Sequence, residues 1–159
     1  TGPGMMRSVS LYMVSGLFVH ICEETILIFM ADVAVIAGSA SDQAIIDKVV
    51  NTLAQYGISY DMQILSAHRD AEKLDNYVKA SDAKVFICIA GMSAALPGVV
   101  AARTPKPVIG VPVSGKIAGG LDALLSIAQM PKGVPVACMA VDGGENAAHM
   151  AHRILSLLP

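Results

Sequence analysis

The sequence predicts an α/β fold in which a parallel sheet is covered by helices on both faces. Two observations predict it. Short apolar, β-branched runs alternate with segments whose apolar residues recur at helical spacing, and the alternation repeats five times after residue 30. The first run, Asp32 to Ala37, is short, apolar and β-branched, which marks a strand buried on both faces by crossover helices rather than a half-solvated one.

Asp32 to Ala37 is the first such run and ends at Gly38. Ile45, Ile46, Val49, Val50 and Leu53 then follow at helical spacing, with Gly57 as the helix stop. Ile58 to Leu65 reads as the second strand, Ala71 to Lys79 as helix, and Lys84 to Ala90 as the third strand. Ala94 to Ala102 reads as helix, Pro107 to Val113 as strand, Leu121 to Gln129 as helix, Val134 to Val141 as strand, and Asn146 to Leu158 as the final helix. Five β–α units joined by right-handed crossovers make a flavodoxin-like three-layer α/β/α sandwich. Ligands in such open sheets bind beyond the carboxyl ends of the strands, which directs attention to loops 38–42, 66–70, 91–93, 114–119 and 142–145.

Composition narrows the function classes. Of 159 residues, 54% are hydrophobic and only 15% charged, against about 25% charged in an ordinary soluble domain. The length suits one domain whose core needs no disulfide or metal clip. A net charge of −2 and a pI near 6.0 give no basic field to gather nucleic acid. The mean hydropathy of +0.59 does not arise from a membrane span, because no window reaches about 18 uninterrupted apolar residues. The surplus apolar surface predicts a sizeable homo-oligomer.

Cys22, Cys88 and Cys138 have no metal-ligand spacing, and Cys88 and Cys138 sit in apolar runs as small buried hydrophobes do. An odd count without a disulfide framework fits a reducing, cytoplasmic setting. Residues 1–30 stand apart from this pattern. Thr1 to Gly4 reads as the scar of an expression tag, followed by an upstream leader, and residues 31–159 form the domain. Arg7 before the apolar stretch Val9 to Cys22 superficially resembles a signal peptide, but no small-residue cleavage site follows.

Three loops carry unusual residues. In Gly38-Ser39-Ala40-Ser41-Asp42, the N–H groups of a helix start and the serine hydroxyls can cradle a phosphate. Ser39-x-x-Asp42 equally fits a loose capping box serving only the helix. The loop is neither GxGxxG nor a Walker loop, which weakens dinucleotide and nucleoside-triphosphate readings. In Ser66-Ala67-His68-Arg69, a guanidinium suited to phosphate adjoins an imidazole able to give and take a proton near neutrality. A surface pair of Arg69 with Asp70 is the bland alternative. In Gly91-Met92-Ser93-Ala94-Ala95, small side chains allow a ligand close to the backbone, or simply allow tight helix–sheet packing.

Other polar features weigh less. His149 and His152 lie at i, i+3 on the last helix with no third ligand, so no metal is expected. Asp142 to Glu145 reads as the turn and acidic first turn of that helix. Met130-Pro131 faces either the pocket or a neighbour, and Lys116 either reaches an anionic substrate or is solvated.

The runs GSASD, SAHR, IAGMSAALPGVVAA, PVIGVPV and GLDALLSIAQMPKGVPVA, in this order, resemble the PurE family of purine biosynthesis over residues 32 to 158. The resemblance implies this fold, a homo-octamer with active sites at subunit junctions, and a ribonucleotide substrate. It implies an N5-carboxyaminoimidazole ribonucleotide mutase or, in a second type, a phosphoribosylaminoimidazole carboxylase using CO2 directly, neither with a cofactor. His68 falls on the family's catalytic histidine, Ser39 and Asp42 on substrate-binding positions with Asp42 at the ribose hydroxyls, and Arg69 on the phosphate contact. Ser41, Ser66, Gly91 and Met92 fall around the same pocket. Arg69 and the LPG run favour the mutase type. Ala95 stands where that type usually has a second histidine, and the glycine-rich stretch before it is two residues shorter, as in archaeal members. An FMN-binding flavodoxin-like protein is the alternative from another class. With 4% aromatics and no Trp to stack a flavin, the sequence disfavours it. A paralogue that binds the ribonucleotide without turning it over is a third reading.

Overall fold

The computed structural model describes residues 30–159, together with the backbone of three strands before them. Those strands, β1 (Leu11–Val14), β2 (Leu17–Cys22) and β3 (Thr25–Phe29), pair antiparallel as a separate meander. The sequence predicts no strands here. Only the spacer Ser15-Gly16 carries a turn dipeptide, and Glu23-Glu24 carries no hairpin signal. The expected tag scar at Thr1 to Gly4 lies outside the described residues.

The main sheet comprises β4 (Val33–Ala37), β5 (Tyr60–Ile64), β6 (Val85–Ala90), β7 (Val108–Pro112) and β8 (Ala137–Cys138), all parallel, in the order β5-β4-β6-β7-β8. The helices are α1 (Gln43–Gln55), α2 (Ala71–Ala80), α3 (Leu96–Ala101), α4 (Leu121–Ala128) and α5 (Gly144–Leu155). This is the expected flavodoxin-like architecture.

β4, β6 and β7 are apolar throughout because alternate residues enter two different cores. Val33, Val35 and Ala37 of β4, with Val85, Ile87 and Ile89 of β6, pack against Ile45, Val49, Ala147 and Ala151 of α1 and α5. Ala34 and Ile36, with Phe86 and Cys88, pack against Leu74 of α2, Val100 of α3 and Ile127 of α4. Every residue of β4, β6 and β7 is buried. Burial holds the Cys88 thiol protonated, as befits a core hydrophobe.

The final helix runs Gly144–Leu155 rather than Asn146 to Leu158, and two further elements depart from expectation for a local reason. The predicted strand Val134 to Val141 shrinks to Ala137–Cys138, because Pro135 has no N–H to give and this edge strand pairs only with β7. Cys138 is consequently half-buried rather than core. The helix predicted from Ala94 begins at Leu96, with Pro97 in its first turn.

Gly110 lets helices reach the sheet. A Cβ there would lie 2.5 Å from Ile127 Cγ2, 3.1 Å from Val136 Cγ1 and 3.3 Å from the Pro97 Cβ. Gly110→Ala is therefore expected to lower the unfolding free energy by about 1–3 kcal/mol, as overpacking does. An unchanged urea midpoint with unchanged slope would contradict this packing.

Candidate functional site

The strand order reverses direction between β4 and β6, and the crevice at their carboxyl ends is where this architecture opens a ligand site. Five loops converge on that end of the sheet. Each is fixed by hydrogen bonds that leave particular side chains unspent.

The 38–42 loop follows β4. Ser39 caps a single 3-10 turn, Ala40–Asp42, that precedes α1. Its Oγ accepts the Ser41 N–H at 3.2 Å, and the Ser41 hydroxyl lies 2.8 Å from Ser39 Oγ and 3.2 Å from Asp42 Oδ1. The one hydroxyl proton can serve only one of them at a time. The capping box is not formed. Asp42 sits at the N-cap of α1, yet its carboxylate caps no backbone N–H. Partial burial raises its pKa, the Ser41 hydroxyl opposes that, and the negative charge of Asp142 adds to it. A partly desolvated carboxylate at a helix start, with one hydroxyl partner, retains lone pairs for hydroxyl groups of a ligand.

The 66–70 loop follows β5. The Ser66 N–H donates to Asp70 Oδ2 at 3.0 Å, the Asp70 N–H returns to the Ser66 carbonyl at 2.9 Å, and the Arg69 N–H donates to Ser66 Oγ at 3.3 Å. Ser66 is buried and Asp70 is engaged in this clamp, so Arg69 does not pair with Asp70. Its Nη2 instead donates to the Gly38 carbonyl at 3.2 Å, bridging the loops after β4 and β5. That bond uses part of a five-donor fork and leaves donors for an anion. His68 stands exposed at the tip of the clamped turn and makes no hydrogen bond to another described residue. Its imidazole is available for proton transfer.

The 91–95 loop follows β6. The Ala94 N–H donates to the Gly91 carbonyl at 3.0 Å, and Met92, at φ 52°, projects into solvent with 75% of its surface exposed. A non-glycine residue in the left-handed region carries strain that the surroundings must impose. Ala118 (φ 43°) and Asp142 (φ 58°) are in the same state, so all three such residues among those described lie in loops at the carboxyl end of the sheet. At Gly98, a Cβ would lie 2.9 Å from Met130 Sδ, which gives Met130 a packing role against α3.

The 114–119 loop is exposed along its length, with Lys116 unpaired among the described residues. It turns back into α4 through Gly120 at φ 104°, where a Cβ would meet Ser114 Cα and the Val113 carbonyl at 3.0 Å. Asp142 Oδ1 accepts the Ser114 N–H at 2.8 Å. In sequence Asp142 reads only as part of a turn. A short polar residue able to hold positive φ was the available signal, and its partner is distant in sequence.

The histidines of α5 lie elsewhere. Tyr56 Oη is 2.7 Å from His149 Nδ1, and its ring stacks on His152 at 3.9 Å. These contacts give the pair an aromatic partner.

The model of the AIR carboxylase family matches residues 32–158. The chain is 53% identical over 125 residues to a Methanocaldococcus jannaschii protein named N5-carboxyaminoimidazole ribonucleotide mutase, covering 79% of each chain. It is 45% identical over 131 residues to a Pyrococcus abyssi protein of the same name, covering 80% of this chain and 75% of that one. The crystal structure of Treponema denticola PurE superimposes with a TM-score of 0.73 at 35% identity, over 80% of this chain and 81% of that one.

The raised Asp42 pKa has a consequence for stability. The folded state disfavours the carboxylate, so stability falls as pH rises from the ordinary aspartate value through the raised one, and the penalty persists at neutral pH. Asp42→Asn is expected to raise Tm at pH 7, with the gain vanishing near about pH 3, where both states bind the proton. A lower Tm at pH 7 would show that the carboxylate stabilises the fold instead.

Proposed function

Because this chain belongs to the AIR carboxylase family, we propose that it acts in purine biosynthesis as an N5-carboxyaminoimidazole ribonucleotide mutase, an isomerase that moves a carboxylate from N5 to C4 of the aminoimidazole. The names of the archaeal relatives support the mutase reading. The observation that carries the catalytic assignment is the placement of His68, with no hydrogen-bond partner among the described residues, beside an Arg69 already tied to the Gly38 carbonyl.

In this reading Arg69 binds the substrate phosphate, and Ser39, Ser41 and Asp42 take the phosphoribosyl group, with Asp42 at the ribose hydroxyls. Ser66 holds the turn that presents His68, and Gly91 and Met92 border the ring. The N5–carboxyl bond breaks, its electron pair stays on nitrogen, and nitrogen takes a proton. The C4 electron pair of the enamine forms the new bond to CO2, and the C4 proton leaves. One proton is gained and one lost, so a single imidazole can shuttle both. Holding CO2 against C4 supplies the proximity that makes recapture faster than escape. The small residues Gly91 to Ala95 frame a space that limits its loss to water.

The functional domain is residues 31–159, working in the cytoplasm as a homo-octamer with its sites at subunit junctions. Ile117, Leu121 and Leu125 support self-association, being exposed apolar residues next to the site loops.

His68→Asn is expected to lower turnover by roughly 10²–10⁴-fold, the share of a general acid–base group, while calorimetry still detects nucleotide binding. Parental turnover in a coupled spectrophotometric assay would remove His68 from the mechanism.

A further inference from the structure

Asp142 ties its own turn to the end of β7, to the loop that follows β7 and to α1. Its N–H donates to the Pro112 carbonyl at the end of β7 at 2.8 Å. Its Oδ1 accepts the Ser114 N–H at 2.8 Å. Its carbonyl accepts from Lys48 Nζ of α1 at 3.2 Å and from the Gly144 N–H of α5 at 3.0 Å. This is achieved at φ 58°, a conformation that Asp, Asn and Gly tolerate and that strains other side chains.

The geometry points to Asp142 as a positioning residue of the reaction, whose carboxylate holds the 114–119 loop in place beside the substrate loops through the Ser114 N–H. The inference rests on the mutase reading of the site. Among the described residues, the Ser114 N–H is the one hydrogen-bond donor of 114–119 that reaches another element. Without that bond, an exposed six-residue loop is fixed only by its own turn into α4. Asp142 is also tied to α1, the helix into which the 38–42 loop leads, through Lys48 Nζ on its carbonyl. The other charges near it are Lys48, on its carbonyl, and Glu145, 3.8 Å from Lys48 Nζ, so the carboxylate is not consumed by an ion pair.

Two substitutions separate backbone from side chain. Asp142→Gly keeps the left-handed conformation and removes the acceptor, whereas Asp142→Asn keeps the conformation and substitutes a neutral, weaker acceptor. Both are made in the full chain. The readouts are hydrogen exchange of peptides covering 113–120, by mass spectrometry, and steady-state kinetics with the N5-carboxylated nucleotide. The expected order in exchange rate and in KM is parent, then Asn, then Gly. The glycine variant should raise KM roughly two- to tenfold, the fold-change carried by one hydrogen bond, with kcat nearly unchanged. Equal values for Asn and Gly, a KM that does not move when exchange accelerates, or a fall confined to kcat would overturn the role. If Asp142→Gly does not fold, Asp142→Asn against the parent still decides, and identical exchange and KM overturn it. A parent that protects the loop but does not turn over the nucleotide would instead sink the mutase reading.

Discussion

Everything in this molecule depends on excluding both faces of β4 and β6 from water. Each residue of these strands is buried, odd positions against α1 and α5 and even positions against α2, α3 and α4. Burying one aliphatic side chain contributes on the order of 1.5–3 kcal/mol, and a one-residue slip would exchange the two sets, setting Phe86 where Val85 and Ile87 now fit. The register is therefore fixed by packing. With it is fixed the divergence of the chain at the carboxyl ends of β4 and β6, and that divergence is where the candidate site lies.

The loops at that end have a division of labour. Backbone groups and short polar side chains do the holding: Ser66 with Asp70, Ser39 with Ser41, Asp142 with Ser114. The side chains suited to chemistry are left with capacity to spare. His68 has no described partner, Arg69 uses part of its guanidinium on Gly38, and Asp42 caps nothing. The same end holds every non-glycine residue of positive φ among those described, Met92, Ala118 and Asp142. Strain concentrated where a ligand is expected, and supported by a rigid double-faced sheet, is the signature of preorganisation.

β4, β6 and β7 were legible because their apolar runs are short and uninterrupted, β5 because Ile58 to Leu65 alternates, and the helix after β4 because Ile45, Val49 and Leu53 repeat at helical spacing. The carboxyl-end rule then located the loops with no knowledge of contacts. The last strand was misjudged because its apolar run includes Pro135, and an edge strand has only one neighbour to stabilise it. What the sequence could not carry was long-range pairing. Ser39 and Asp42 fit a local capping motif that the 3-10 turn replaces, and Arg69 had a nearby Asp70 to suggest the wrong partner. Asp142 meets Ser114 across 28 positions, a contact that exists only after β7 and α5 have packed. The apolar surplus in the composition has its counterpart in Ile117, Leu121 and Leu125, which remain exposed on the described chain.

The central claim is that the site moves a carboxylate within one nucleotide rather than adding CO2 to another. It is tested most directly by supplying the substrates separately to the purified protein. Rapid turnover of N5-carboxyaminoimidazole ribonucleotide without bicarbonate, and little of aminoimidazole ribonucleotide with it, is the result predicted here. Efficient turnover of aminoimidazole ribonucleotide with bicarbonate alone would contradict the account.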